Sequence, residues 1–274
     1  MREAAEGLLG ADWKLAAVPE LKAALKGLPV SYAAGAVFAR KSGVLISLGG
    51  DGTLLGAARL AAPLKRPVLS VNLGGLGFMT AVGPEHVGQK LPKLLSTDGE
   101  VELRGMVRVE LWRGTKRALV LDALNDIALA RASAGRMARF QASVDGQFLA
   151  EFRADGLVFA SPTGSTAYAL SVGGPIIDAR TPVNLLALVS PHTLSNRPLV
   201  LPASSRLQVL LPEAGLGLST DGAKPMTLKA GDRLVLGSAP YQARLILAKA
   251  RDPWAVLRNK LGWQGLGPKG VRRA

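Results

Sequence analysis

Apolar positions change their period twice along the chain, and the changes mark out its elements. Over residues 1–40, Leu8, Leu9, Trp13, Leu15, Leu21, Leu25 and Leu28 offer apolar faces at helical spacing, punctuated by Pro19 and Pro29, so this stretch reads as helices. Val44-Leu45-Ile46-Ser47-Leu48 is short and apolar at most positions, as a buried parallel strand requires. It runs into Gly49-Gly50-Asp51-Gly52-Thr53, where Thr53 is placed to cap a helix that opens on Leu54 and Leu55 and is closed by Arg59 to Pro63. Val68 to Asn72 then repeats the apolar run, again ending in glycines, at Gly74, Gly75 and Gly77. Two strand-to-glycine units joined by a helix read as βαβ and a parallel sheet. Pro84 to Leu95 adds one more amphipathic helix.

Near residue 100 the period becomes two. Val107-Arg108-Val109-Glu110-Leu111 and Phe140-Gln141-Ala142-Ser143-Val144 alternate, Gly114 marks a turn, and Asp145-Gly146 signals a hairpin. Leu157–Ala160, Leu185–Val189, Leu207–Leu211, Arg233–Leu236 and Ala243–Ala248 are further strand-like runs, at a spacing that suits a sandwich. The tail turns helical again: Asp252 is an N-cap, Pro253 a first helical residue and Gly262 a stop. Trp254, Leu257 and Leu261 share a face, which predicts that this side docks.

Composition narrows the class. The 274 residues suffice for two ordinary domains or one large one, and 48% hydrophobic against 20% charged residues describes a globular chain with a sizeable core. No apolar run approaches the length of a membrane span, Met1 to Glu6 lacks a signal-peptide pattern, and there is no cysteine for disulfides or thiolate metal sites. These features fit a cytoplasmic enzyme. The net charge of +14 suggests anionic partners, but Lys and Arg are spread along the chain and cluster only at Lys269, Arg272 and Arg273. With aromatics at 5% there is no base-stacking platform, so nucleic acid is the weaker alternative to a substrate carrying several phosphates.

Candidate chemistry sits in two motifs. Gly49, Gly50 and Gly52 let the backbone approach a ligand closely, and successive amides at a helix start suit phosphate. The plainer alternative is a strand-to-helix turn that needs glycine for geometry. No Gly-Lys-Ser/Thr ending of a Walker A loop occurs. The glycine spacing is one residue too long for a dinucleotide fingerprint, and Asn72 stands where a ribose-binding acid belongs. What remains is Asp51 displayed in a phosphate-binding turn, which suits phosphoryl transfer. The second motif, Arg153-Ala154-Asp155-Gly156 through Ser161-Pro162-Thr163-Gly164-Ser165-Thr166-Ala167-Tyr168, ends a strand in a loop with four hydroxyls and a tyrosine. Hydroxyls and a flat ring suit a nucleoside, while the alternative is cap chemistry for a helix toward Ser171. His86 and His192 are too few and too far apart for zinc, and no Gly-x-Ser-x-Gly elbow occurs.

These motifs, with Asn72 to Phe78, Asn125-Asp126, Gly173-Gly174-Pro175, Pro191-His192, Arg197-Pro198, Asp221-Gly222 and Leu257 to Trp263, follow the order found in NAD kinases, and the chain resembles that family. The glycine turn alone is shared with phosphofructokinases and lipid kinases; the Ser161–Tyr168 motif is far more specific.

The resemblance implies an α/β fold. A Rossmann-like α/β domain would cover residues 1–100, completed by a 249–274 tail whose helix returns to it, and a β-rich, sandwich-like domain would cover 101–248. It implies an active site between domains and a homodimer or homotetramer in which a neighbouring subunit contributes. The reaction implied is transfer of a phosphoryl group from ATP to the 2′-hydroxyl of NAD's adenosine ribose. Asp51 would take the hydroxyl proton, Gly49, Gly50 and Thr53 would form the phosphate turn, and Mg²⁺ would arrive on the nucleotide without a direct protein ligand. NAD or nucleotide contacts fall on Gly52, Phe78, Asn125, Asp126, Arg136, Arg153, Asp155, Thr163, Thr166, Ala167, Tyr168 and Ser171. Arg136 is equally read as a solvated loop charge and Phe78 as plain core.

The chain departs from the family pattern in three places: residues 1–10 show no first strand, Ser161 replaces the commoner threonine, and Ala223 replaces a frequent Gln. A lipid or sphingoid kinase with the same turn, and a basic nucleic-acid-binding protein, are the alternatives.

Overall fold

The computed structural model describes residues 1–73, 77, 79, 82–131, 137–193, 196–250 and 252–263. The chain forms two compact units: Met1–Ala57, Pro67–Glu102 and Leu245–Ala274 make the first, and Ala58–Arg66 with Leu103–Arg244 the second.

The first unit is built from α1 (Arg2–Leu9), β1 (Leu15–Ala17), β2 (Val30–Tyr32), α2 (Gly35–Lys41), β3 (Leu45–Gly49), the start of α3 (Asp51–Ala61), β4 (Pro67–Asn72) and α4 (Val87–Ser96). The first 40 residues are less helical than their leucine spacing predicts. Leu15 to Ala17 pair in parallel with Val30 to Tyr32, and Leu15, Leu21, Leu25, Leu28 and Val30 share a small core. Strands of three residues are too short to display a period of two, so the leucine spacing dominates the pattern.

β3 and β4 run parallel, in register from Leu45 opposite Val68 to Gly49 opposite Asn72. Ile46, Leu48, Leu69 and Val71 pack on Ala4 and Leu8 of α1 and on Val87, Leu91 and Leu94 of α4. On the other face Leu45 and Val68 are also buried, as are Ser47 and Ser70. Burial on both faces is the reason the run reads as apolar rather than alternating.

The chain continues through β5 (Gly99–Arg113), β6 (Lys116–Ala123), β7 (Asp126–Arg131), β8 (Ala138–Val144), β9 (Gln147–Ala154), β10 (Gly156–Ala160), α5 (Tyr168–Ser171), β11 (Val183–Val189), β12 (Leu199–Pro202), β13 (Leu207–Leu210), β14 (Leu216–Thr220), β15 (Met226–Thr227), β16 (Arg233–Ala248) and α6 (Pro253–Leu261). One sheet of the second unit runs β12-β11-β10-β7-β14-β15; the other has β16-β13-β8-β9, with β5 also pairing β16 and β6 pairing β5. Val107, Val109 and Leu111 from β5, Phe140 and Ala142 from β8, and Val209 from β13 meet Ile127, Leu129, Leu157, Phe159, Leu186 and Leu218 in one core. This is a sandwich, as expected. Each fully buried Leu, Ile or Phe contributes roughly 1.5–3 kcal/mol to it.

β10 is buried on both sides. Leu157 and Phe159 enter the main core, while Val158 and Ala160 pack with Ala169 of α5 and Leu185 of β11. The loop that follows β10 is therefore anchored at both ends. Asp145-Gly146 forms the tight hairpin between β8 and β9, with φ of 50° and 83°, the double positive turn its dipeptide favours.

Two expected runs, 233–236 and 243–248, are one strand, β16. Pro240 lies inside it, since its fixed φ is compatible with extended backbone and only one ladder donor is lost. α6 starts and stops as its sequence dictates: the Asp252 carboxylate accepts from the Trp254 and Ala255 amides at 2.9 and 3.1 Å, and Gly262 closes it at φ 66°. Its inward side differs from expectation. Val256 is buried, Leu257 and Leu261 are half-buried, and Trp254 is 58% exposed. Periodicity defines an apolar stripe, not which edge of it docks. No helix among the described residues is long and apolar enough to cross a membrane.

Candidate active site

The glycine turn joins β3 to α3. The helix begins at Asp51, three residues earlier than a Thr53 cap would allow. Thr53 is instead the third helical residue, exposed, and the Thr53 and Leu54 amides donate to the Gly50 carbonyl at 3.1 and 3.3 Å. Gly50 is solvent-facing, and a Cβ at Gly50 or Gly52 would meet nothing within 4 Å. This end of the helix, with its unpaired amides and positive dipole, is open to an anion.

Asp51 differs from these neighbours. Its Oδ1 is buried and has no hydrogen-bond partner among the described residues. Gly77 lies directly against the carboxylate, so that a Cβ there would collide with Oδ1. A buried carboxylate oxygen left unsatisfied costs free energy, and such an atom calls for a role. In the strands that lead to the turn, the buried hydroxyls of Ser47 and Ser70 sit opposite each other in the β3–β4 register, likewise without a partner among the described residues.

In the second unit, Asn125 and Asp126 open β7, and the loop after β10 wraps around them. The Ser161 amide donates to the Asn125 carbonyl at 2.8 Å, and the Ser161 hydroxyl donates to the Leu124 carbonyl at 2.5 Å. Gly164 approaches the Asn125 backbone so closely that a Cβ would overlap its carbonyl oxygen. Most of the hydroxyls build the loop itself. Ser165 donates to the Pro162 carbonyl at 2.7 Å and accepts from the Ile177 amide at 2.9 Å, and Thr166 donates to the Thr163 carbonyl at 3.1 Å. Thr163 accepts from the buried Arg104 at 3.4 Å. Asn125 keeps a buried Oδ1 with no partner among the described residues, and Tyr168, at the loop's end, is 37% exposed. Ala167 is half-buried and Ser171 exposed.

Asp126 is an unusual carboxylate. Burial, and then the negative charge of Asp221, push its pKa from 3.8 to about 6, against the Tyr168 amide, which lowers it. The folded chain thus binds this proton more tightly than the unfolded chain. The contribution to stability is complete below about pH 4 and is lost as pH rises through about 6, amounting to about 3 kcal/mol at most. Asp126→Asn should therefore raise the melting temperature at pH 8 and leave it nearly unchanged at pH 4. Thermal melts at the two pH values check this, and equal shifts at both would contradict it.

Not every expected site residue joins this cluster. Arg153 is exposed, and Asp155 pairs with Arg131 at 3.2 Å. Asp155 precedes β10 and Ser161 follows it, so the Arg131–Asp155 pair lies at the opposite end of β7 and β10 from Asp126. Six extended residues separate the two by on the order of 20 Å. Phe78 and Arg136 lie outside the described residues. Ala223, in place of a side-chain amide, is exposed, and its own amide donates to the Thr220 carbonyl at 2.9 Å. Sequence reasoning gave no role to Asp221 or Arg59. Asp221 stood inside a motif, but the partners that define it are about a hundred residues away and carry no local signature.

An α/β unit with an acid in an open glycine turn suits phosphoryl transfer, and the relatives of this chain make it a phosphotransferase with an alcohol acceptor. The ATP-NAD kinase N-terminal domain family matches residues 18–100, and the ATP-NAD kinase C-terminal domain family matches residues 124–248. The chain belongs to the ATP-NAD kinase family. It is 41% identical over 221 residues to a NAD kinase of Nitrosococcus oceani, covering 80% of this chain and 75% of that protein. A NAD kinase of Moorella thermoacetica is 42% identical over 219 residues, covering 79% and 70%. Among solved structures, yeast NADH kinase complexed with NADH superimposes with a TM-score of 0.85 at 25% identity, over 100% of this chain and 87% of that one. An NAD kinase from Archaeoglobus fulgidus in complex with ATP gives 0.71 at 25% identity, over 92% and 100%. These matches do not favour the lipid-kinase and nucleic-acid alternatives.

Proposed function

We propose that this chain phosphorylates the 2′-hydroxyl of NAD's adenosine ribose with ATP, and that Asp51 accepts the hydroxyl proton. The ribose oxygen bonds to the terminal phosphorus, the bond from that phosphorus to the bridging oxygen breaks, ADP leaves, and the proton passes to Asp51. The observation that carries the reading is the buried Oδ1 of Asp51, which has no partner among the described residues, in an otherwise open turn. A carboxylate is a weak base at neutral pH, but a loose phosphoryl-transfer transition state relies mainly on positioning and charge. Amides at Gly49, Gly50 and Gly52, with the Thr53 hydroxyl, hold phosphate oxygens. Asn125 and Asp126 accept from ribose hydroxyls, and Thr163, Thr166, Ala167, Tyr168 and Ser171 line the adenosine. A panel of NAD, NADH and sphingosine as acceptors, with ATP or polyphosphate as donors, tests the reading. A folded protein that phosphorylates none of the nicotinamide nucleotides would overturn it.

Among the described residues no three His, Cys, Asp or Glu side chains converge. Mg²⁺ is commonly held by substrate phosphates with one or two carboxylates, so this donor set fits a cation carried by ATP. When bound it would offset the phosphate charge.

The protein acts as a homodimer or homotetramer, with Arg153 and Asp155 serving the neighbouring subunit's NAD. Support comes from the Arg131–Asp155 pair, set at the far end of β10 from Asp126. Asp51→Asn and Asp155→Ala should each be poorly active, and mixing them should restore about a quarter of wild-type activity, because one site in each mixed dimer is intact. No recovery from demonstrably mixed oligomers would place Asp155 in its own subunit's site or in none.

A further inference from the structure

Asp221 follows β14 at φ 50° and its side chain is fully buried. Its Oδ1 accepts from the amides of Asn125 at 2.8 Å and Asp126 at 3.3 Å, and its Oδ2 from the amide of Leu124 at 3.1 Å. Its own amide donates to the Asp126 carbonyl at 2.9 Å. Arg59 supplies the counter-charge, with Nη1 at 3.1 Å from Oδ2 and 3.3 Å from the Thr220 carbonyl. One carboxylate thus splints three consecutive residues that open β7. Among the described residues, backbone groups and one arginine hold it.

We propose that Asp221 and Arg59 are positioning residues for NAD binding: Asp221 fixes the backbone that aims Asn125 and Asp126, and the Asp221–Arg59 pair sets the charge on Asp126. This rests on Asp126 being an NAD ligand. The groups that bear on the Asp126 carboxyl are few. Asp221 repels its negative form; burial pushes the Asp221 carboxyl up, while the Asn125 and Leu124 amides and then Arg59 hold it down; and the Tyr168 amide from α5 donates to Asp126. Across the sheet its partner is Ala160 of β10, which is uncharged.

The two members of one ion pair then act on Asp126 with opposite sign. Asp221→Asn removes the repelling charge, so Asp126 should titrate at lower pH. Arg59→Gln removes the offsetting charge, so it should titrate at higher pH. Each shift should be roughly one pH unit. An ordinary structural pair would weaken folding in both variants and move Asp126 the same way, or not at all.

The test follows the Asp126 carboxyl by carbon NMR from pH 4 to 8 in the full chain, beside KM for NAD over the same range. Opposite shifts of the Asp126 midpoint, with the acid limb of NAD affinity following each and the change carried by KM rather than kcat, support the proposal. Arg59→Lys should restore the wild-type midpoint. Midpoints that stay put or move together would overturn it. Should Asp221→Asn not fold, the third-exposed Arg59 still gives a decisive answer through Arg59→Gln and Arg59→Lys. Midpoints that shift oppositely while KM for NAD ignores them would uphold the coupling and refute the role of Asp126 as a ligand.

Discussion

Asp51→Asn should lower kcat about a thousandfold and leave both KM for NAD and the melting temperature close to wild type. The substitution keeps the shape of the side chain and so keeps its fit against Gly77. It removes the charge and basicity of an oxygen that is buried without a partner. The amide leaves a polar atom at the same buried position and removes only the charge, so any change in stability should be small. Steady-state kinetics with isothermal titration of NAD separates the two effects. Loss of NAD binding in step with turnover would make Asp51 a binding residue rather than a proton acceptor.

Gly164→Ala should cost about 3 kcal/mol of stability and raise KM for NAD at least tenfold. The Cβ would overlap the Asn125 carbonyl. Neither side can retreat: the Ser161 amide and hydroxyl hold the Asn125 and Leu124 carbonyls, and the Ser161 hydroxyl also accepts from the Gly164 amide at 3.1 Å. Asp221 grips the same residues through three amides. An added methyl is accommodated cheaply when a flexible side chain meets it, and expensively when backbone does. Urea denaturation and titration of NAD read the two costs. A variant with wild-type stability would mean that the loop does not rest on Asn125 in this way.

What the sequence disclosed was local. The β3 strand, its glycine turn, the Asp145-Gly146 hairpin and the Asp252 and Gly262 caps all depend on residues within a few positions of each other, and each formed close to where its chemistry put it. Thr53 was misjudged as a cap because Asp51, read only for its chemistry, also opens the helix. β7 was not read as a strand, because Asn125-Asp126 at its start was read only for its chemistry. The site was legible in its residue types but not in its construction. Four hydroxyls suggested direct contact with a nucleoside, yet Ser161, Ser165 and Thr166 are used to shape the loop. The elevated pKa of Asp126 needs burial and a second acid nearly a hundred residues away. No spacing along the chain announces that.

The central claim is that a phosphoryl group is delivered to one particular oxygen of NAD. Phosphorus NMR of the product formed by the purified protein from NAD, ATP and Mg²⁺ tests this most directly. A new phosphomonoester on the 2′-oxygen of the adenosine ribose is expected, formed together with one ADP, and formed about a thousandfold more slowly with Asp51→Asn. A phosphate on the 3′-oxygen or on the nicotinamide ribose, or no product from a well-folded sample, would contradict it.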